Sequence, residues 1–210
     1  MRKAKEGFMQ RTSIRSATIA AILLLSLGSF ACGGGGGNAG GGGGGGMLTA
    51  AFTSANTTPG ANSVTMAAGA VTGDTFQIVI NATDINSFFG TGFRVSFDDL
   101  DAEFQSFDDS GSWLLTNVPA GATTNINAAV DSANPGMVVV NATFQGMTAG
   151  VNLAGTQELL TLTFRALAVS GGNPFTFDGP TTRVVTVCTT MTGVCTDQVV
   201  SWDGGTQTAQ

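Results

Sequence analysis

Hydrophobic and polar residues alternate with a period of two along much of the chain after residue 61. In the segment TFQIVINAT, Phe76, Ile78 and Ile80 alternate with Gln77 and Asn81. A period of two places successive side chains on opposite faces of a β-strand, so each such segment is predicted to turn one face to a core and the other to water. The same pattern recurs in FRVSF (93–97), MVVVNATF (137–144) and LLTLTFRAL (159–167).

Turn-forming residues separate these alternating segments. SANPG and SGGNP are two such breakers, and no amphipathic helix of ten or more residues is evident. Eight or nine strands within about 145 residues predict an all-β fold, an antiparallel two-sheet β-sandwich of about nine strands. Residues 62–206 are predicted to form this domain.

The first 31 residues are predicted to form a signal peptide of the lipoprotein type. Five basic residues precede the apolar run AILLLSLGSFA, which ends at Cys32. This order is typical of secretory signals, and the run is shorter than the roughly 20 apolar residues of a membrane-spanning helix. Ser29 to Cys32 resembles the lipobox of bacterial lipoproteins, so Cys32 is the predicted lipidation site. Ser29 and Ala31 also fit ordinary cleavage before plain secretion or release to the periplasm.

Residues 32–61 are predicted to be a flexible linker. Twelve of the fourteen residues after Cys32 are glycine, which makes a flexible tether. One strand in LTAAF (48–52) is an alternative within this segment. Together, the signal and the tether predict an exported lipoprotein of the outer membrane or cell surface.

The three cysteines divide into a pair and a single residue. Cys188 and Cys195 flank TTMTGV between two β-rich runs, so a disulfide across the neck of a hairpin is expected, formed in an oxidising compartment. Cys32 then remains unpaired, which favours its lipidation. Two thiols in a chain without histidine are a poor metal site.

Charge and composition exclude several function classes. After Cys32 the chain has three arginines and no lysine against thirteen acidic residues, a net charge of −10. Such a surface repels nucleic acid and anionic lipid headgroups. The chain has no histidine and no tyrosine, so the commonest general bases and Ser-His-Asp arrangements cannot be built. Only carboxylate pairs remain, and a non-catalytic protein is predicted.

The strongest concentration of charge lies between Asp98 and Asp109, where six of twelve residues are acidic. Part of this stretch resembles an EF-hand loop, but Phe104 and Ser110 stand where that loop needs glycine and glutamate. No cofactor is therefore expected, and an irregular Ca²⁺ site remains the alternative. Its ligands would be Asp98, Asp99 and Asp101.

Alternation gives the same stretch a structural interpretation. Leu100, Ala102 and Phe104 would face the core, while Asp101 and Glu103 would face water. The stretch is then strand, turn and strand. Asp98 is expected to cap the turn through its side chain.

Five segments of the sequence follow one another in an order that resembles the motif series of cohesin domains. They are VTGDTFQIVINATDI (71–85), GFRVSFDDLDAEFQSF (92–107), GMVVVNATFQG (136–146), GTQELLTLTFRALAVSGGNPFTFDG (155–179) and VVSWDGGTQTAQ (199–210). Cohesins are nine-stranded jelly-roll sandwiches that bind dockerin modules in cellulosomes. The resemblance covers about residues 62–206 and implies the same fold.

The resemblance also implies where a partner would bind. Cohesins of this kind bind dockerin on the solvent face of one sheet. The matching outward positions here, and hence the expected partner contacts, are Gly92, Arg94, Ser96, Asn141 and Thr143. Exposed strand residues with no partner are the alternative interpretation of Asn141 and Thr143.

Three functions follow as hypotheses. The first is a surface-displayed cohesin-like module that recruits a dockerin-type or polysaccharide-associated protein, with a role in polysaccharide degradation. The second is a carbohydrate-binding module, which would need exposed aromatic rings in a row; Trp113 and Trp202 are the only tryptophans. The third is a structural or adhesion domain without a small ligand.

Overall fold

The computed structural model describes residues 48–179, 183–189 and 194–210. These residues belong to one unit of the chain, Gly44–Gln210. The predicted signal peptide, the lipidation site Cys32 and the glycine run lie outside the described residues. Within the described part, no helix is long and apolar enough to cross a membrane.

The described residues are almost entirely strands, which confirms the all-β prediction. One helix is present among them, the single turn α1 (Trp113–Thr116). The strands are β1 (Ala50–Ser54), β2 (Ser63–Thr72), β3 (Thr75–Ser96), β4 (Ala102–Asp108), β5 (Thr123–Asp131), β6 (Asn134–Gln145), β7 (Val151–Ala166), β8 (Ser170–Phe177), β9 (Val184–Cys188), β10 (Cys195–Gln198), β11 (Ser201–Asp203) and β12 (Gly205–Ala209).

The 22-residue strand β3 organises the fold because its two halves pair with different neighbours. The first half pairs with β2 and β7, and the second half pairs with β6 and β9. Between the halves, Asp84 and Ser87 have φ of 47° and 52°, a backbone region that is uncommon outside glycine. Two hydrogen bonds hold this irregular segment, one from Gly155 N–H to Asp84 Oδ1 and one from Ser87 N–H to Asn152 Oδ1.

Two sheet layers result from this arrangement. The first layer runs β4–β7–β3–β2–β11, and the second runs β5–β6–β3–β9–β10. A ribbon of β1, β12 and β8 joins β3 at its end, through Val95 and Ser96. Every pair is antiparallel except β11 with β2.

Aromatic side chains fill the space between the layers. Phe164 on β7 lies 5.2 Å from Phe97 and 4.9 Å from Phe175, measured between ring centroids. Phe164 lies on β7, Phe97 follows β3 and Phe175 lies on β8, so three segments of the sheet contribute rings to one shared core. Aromatic pairs at this spacing add roughly 0.5–1.5 kcal/mol beyond the area they bury. The sandwich predicted from alternation is confirmed.

The acidic stretch differs from prediction at two points. Leu100, expected to face the core, is 78% exposed because it lies in the turn between β3 and β4. A register shift between Phe104 and Ser106 then reverses the alternation of β4, so that Phe107 packs against the core. At a β-bulge, two consecutive residues of one strand lie opposite a single residue of the neighbouring strand. The sequence pattern of one strand does not show where such a bulge occurs.

The turn before β4 is held by two side chains. Asp98 Oδ1 accepts a hydrogen bond from Leu100 N–H at 2.9 Å, the capping contact expected from the sequence. The amide of Asn173, buried on β8, accepts from Asp98 N–H at 3.0 Å and donates to Asp98 C=O at 3.2 Å. The side chain of Asn173 therefore bonds both backbone groups of Asp98, as the backbone of a paired strand would, and connects the turn to β8.

Strand pairing extends beyond residues 62–206 at both ends. β1 lies in the segment predicted as linker and pairs with β12 from Ala50–Ala209 to Ser54–Gly205. Phe52 of β1 is buried against Phe76 and Phe175. The folded part thus begins before residue 62, because β1 covers aromatic rings that would otherwise face water.

Candidate functional site

The five predicted partner-binding residues lie together on the outer face of the second layer. Gly92 is paired with Asn141, and Thr143 is paired with Gly90 two positions away. Along β3 and β6 these positions alternate with residues buried in the core, so their outward direction follows from the period of a strand. We call this surface the β3–β6 face; it consists of Gly90, Gly92, Arg94, Ser96, Val139, Asn141 and Thr143.

Thr143 is turned toward the backbone. Its hydroxyl lies 2.9 Å from the carbonyl oxygen of Phe144 and 3.3 Å from that of Phe89, either of which can accept its proton. The side chain occupies the space above Gly90, where an added Cβ would lie 2.3 Å from Thr143 Oγ1. Thr143 thus belongs to the β3–β6 face but already has backbone acceptors within it.

Gly92 leaves open space at the centre of the β3–β6 face. An added Cβ there would meet its nearest atoms, Val140 O and Val184 Cγ1, at an ordinary 3.9 Å. Asn141, directly opposite, donates from Nδ2 to the carbonyl of Asn125 on β5 at 3.4 Å. That bond is long, and the half-buried Asn141 lies beside the open space at Gly92.

Arg94 and Ser96 continue the same row along β3. Arg94 Nη2 lies 4.0 Å from Asp131 Oδ2, at the limit of an ion pair and beyond hydrogen-bond distance. Ser96 is half-buried because β3 is paired on both sides at this point, with Met137 of β6 and Thr176 of β8. Both residues are half-buried, and the Arg94 side chain is 39% exposed.

A shallow depression of about 430 Å³ crosses the β3–β6 face and includes residues that sequence reasoning missed. Arg183 and Val184 form one side of it, and Gly92, Arg94 and Asn141 lie on the other. Val184 reaches this position because it pairs with Gly92 across β9 and β3. In the sequence, Arg183 is conspicuous only as one of three arginines after Cys32. No sequence pattern predicted that it would line the same depression as Arg94.

Both tryptophans are engaged with other side chains. The guanidinium of Arg183 lies 5.7 Å from the ring centroid of Trp202, which also contacts Phe93 and Phe177. Trp113 packs against rings of the core at 6.1 and 6.2 Å. Neither ring belongs to an exposed aromatic row of the kind on which sugar rings stack.

The carboxylates of the acidic stretch serve local structure. Asp101 Oδ2 accepts the hydroxyl of Ser170 at 2.7 Å, and Glu103 accepts Arg165 Nη2 at 2.8 Å. Within the described ranges, no group of three or more metal-binding side chains is close enough to hold an ion. The Ca²⁺ alternative at Asp98, Asp99 and Asp101 gains no support from this arrangement.

One carboxyl of the stretch has a shifted pKa. The backbone N–H of Ser110, and then its hydroxyl, lower the pKa of the exposed Asp108 carboxyl below its usual value. Because the pKa of Asp108 is lower in the folded state, its ionised carboxylate stabilises the fold at pH values above the ordinary pKa of aspartate. This contribution to folding stability is lost as the pH falls through the folded pKa.

The disulfide expected from the sequence is present. Cys188 and Cys195 are bonded and are also register partners in the β9–β10 hairpin. β9 in turn pairs with β3, so the bond lies one strand away from the depression. A structural disulfide indicates an oxidising compartment.

Comparison with known proteins gave matches among solved structures. No protein-family model and no curated protein matches the chain. The second type II cohesin module of the cellulosomal adaptor scaffoldin ScaA from Acetivibrio cellulolyticus is 14% identical, with a TM-score of 0.48, over 69% of this chain and 96% of that one. A cohesin module from a family 33 glycoside hydrolase of Clostridium perfringens is 9% identical, with a TM-score of 0.45, over 73% and 95%.

A third match was solved with its partner. The third cohesin of ScaC from Acetivibrio cellulolyticus, in complex with the ScaB dockerin, is 18% identical, with a TM-score of 0.43, over 62% of this chain and 86% of that one. These similarities concern the fold. All three matches are cohesin modules, the family that the sequence motifs of this chain resemble.

Proposed function

We propose that this protein is a non-catalytic binding module that recruits a dockerin-type or similar protein partner through the β3–β6 face. One observation carries the proposal. Residues predicted as contacts from two segments some 50 positions apart lie side by side, with Gly92 paired to Asn141 and open space above Gly92. The class of partner comes from the order of sequence motifs that resembles cohesins.

The proposal includes display outside the cell. Cys32 carries a lipid, and the glycine run that follows holds the domain away from the membrane by roughly 20 Å, from about 5–6 Å times √n. The oxidising compartment indicated by the disulfide between Cys188 and Cys195 supports export. The recruited partner acts on polysaccharide.

The anchor is tested by palmitate labelling of the full chain in a bacterium that processes lipoproteins. We expect label on the wild type and none on Cys32→Ser, because the thiol accepts the lipid. An unlabelled wild type, with the chain released to the medium, would refute the anchor and support plain secretion.

Binding is tested by capture from the secretome of the native organism on immobilised residues 48–210. We expect recovery of dockerin-bearing proteins. Gly92→Leu should weaken capture about tenfold, equivalent to about 1.4 kcal/mol, because its side chain fills the depression. The fold should survive, since a Cβ at Gly92 meets only ordinary contacts.

Gly171→Leu is the matched control, because Gly171 is an exposed strand residue outside the depression with nothing within 4 Å of an added Cβ. Capture should be unchanged in this variant. Equal loss in both variants would contradict a role for the β3–β6 face. Retention on insoluble polysaccharide without any protein partner would favour a carbohydrate-binding module.

A further inference from the structure

The few positive charges of the domain are unevenly distributed. Arg94, Arg165 and Arg183 are its cations after Cys32, against thirteen acidic residues. Arg94 and Arg183 both line the depression of the β3–β6 face, and no carboxylate is among its lining residues. Arg165 lies in the first layer, where Glu103 pairs with it at 2.8 Å. The depression is therefore lined by two of the three arginines of a negatively charged domain, with Asp131 lying 4.0 Å from Arg94 and with Asp197 lining a neighbouring depression together with Arg183.

Arg183 contacts an aromatic ring and a backbone carbonyl. Its guanidinium lies over the Trp202 ring, and Nη1 donates to the Phe177 carbonyl at 3.4 Å. Trp202 is itself anchored on the rings of Phe93 and Phe177. A guanidinium stacked on an aromatic face keeps its N–H groups in a rigid fork that matches a carboxylate.

Arg94 is available to a ligand because its own ion pair is weak. Within the described part of the chain its ionic neighbour is Asp131, at 4.0 Å, and the Arg94 side chain is 39% exposed. An ion pair that is this long and partly exposed contributes little to stability. A carboxylate that approaches within hydrogen-bond distance would therefore compete well for the Arg94 guanidinium.

The space between the two arginines suits one acidic side chain. Gly92 has no side chain, so space is open above its Cα. Asn141 lines the depression next to it, and Val139 and Val184 contribute apolar surface. We propose that this depression binds an aspartate or glutamate side chain of a protein partner, clamped between Arg94 and Arg183. The inference rests on the proposed function and names the chemistry of the contact. A sugar chain fits less well, since Arg183 covers the Trp202 ring.

The probe is a fluorescein-labelled peptide of alternating glutamate and glycine, titrated into residues 48–210 and followed by anisotropy. Its matched control peptide carries glutamine in place of glutamate. We expect the glutamate peptide to bind more tightly and its affinity to fall as salt is raised. The double variant Arg94→Gln/Arg183→Gln should weaken binding at least tenfold. Arg183→Lys should weaken it less, because it keeps the charge but loses the fork.

Arg165→Gln is the matched protein control, because it removes the same charge from the opposite layer. It should bind the peptide as the wild type does, and unfolding midpoints of all variants should show intact folds. Equal loss in Arg165→Gln, equal binding of the glutamine peptide or no binding at all would overturn the inference. So would tighter binding of oligogalacturonate, which would assign the site to an acidic polysaccharide.

The capture experiment separates this inference from the proposed function. A partner that is lost by both Gly92→Leu and the double arginine variant supports both. A partner that is lost by Gly92→Leu but kept by the double variant leaves the β3–β6 face as the binding surface and overturns the carboxylate clamp.

Discussion

Two glycines of one strand occupy opposite steric situations. Gly90 and Gly92 both belong to the β3–β6 face, yet an added Cβ at Gly90 would lie 2.3 Å from Thr143 Oγ1 and 2.8 Å from its Cα. At Gly92 the nearest atoms are 3.9 Å away. Gly90 is therefore required for close packing of β3 on β6. Gly92 is not required by the fold, and the space above it is available to a partner.

Alanine at each position tests this difference. Gly90→Ala should lower the free energy of unfolding by about 1–3 kcal/mol, because the Thr143 side chain and backbone must move. Gly92→Ala should change it by no more than about 0.5 kcal/mol. Urea unfolding of both variants measures the difference. A Gly90 variant as stable as the wild type would mean that β6 shifts freely, and a strongly destabilised Gly92 variant would contradict the open space.

The hairpin of β9 and β10 connects the disulfide to the candidate site. β9 pairs with β3 through Val184 and Gly92, and its last residue, Cys188, is bonded to Cys195 at the start of β10. Among the described strands β10 pairs with β9 alone; the disulfide and a hydrogen bond from Gln198 Nε2 to Asn62 Oδ1 at 2.8 Å hold it as well. Cys188 itself is fully buried.

Removal of the disulfide tests the stability of this element. Cys188→Ala/Cys195→Ala should lower the free energy of unfolding by about 2 kcal/mol, the chain-entropy value for so short a loop. Reductant should lower the melting temperature of the wild type to that of the double variant and leave the variant unchanged. A wild type that is insensitive to reductant and equal to the variant in stability would show that the bond does not stabilise the fold.

At the scale of the whole molecule, the two ends of the described chain close the sandwich together. Thr49 N–H donates to Gln210 C=O at 2.9 Å, and β1 pairs with β12 along all five of its residues. β12 continues to β8, whose Phe175 contacts Phe52. The segment before residue 62 is thus part of the core.

Truncation tests the contribution of β1. Residues 62–210 should unfold with a free energy at least about 3 kcal/mol below that of residues 48–210, because Phe52 is lost from the core and Phe76 and Phe175 are uncovered. The exposed edge of β12 should also promote association between copies. Urea unfolding and sedimentation measure both effects. Phe52→Ala in residues 48–210 separates the packing loss from the loss of the strand.

Much of the fold could be predicted because alternation is a local property. Segments 75–82, 93–97 and 137–144 face inward and outward as their sequences predict, since a strand has a period of two wherever it pairs, whereas Thr83, predicted to face outward, is buried. The spacing of Cys188 and Cys195 likewise predicted a hairpin neck. The exclusion of His- and Lys-dependent catalysis in the domain required only the composition.

Only the tertiary structure decided which surfaces meet. Alternation did not reveal that Thr143 would cover Gly90, or that the turn at Leu100 would leave its side chain in water. It also could not show that Arg183 and Arg94, 89 positions apart, line one depression, because their shared position depends on β9 pairing with β3. The sequence by itself determined the direction of each side chain relative to its own strand. The long-range pairing of strands determined which of those side chains share a site.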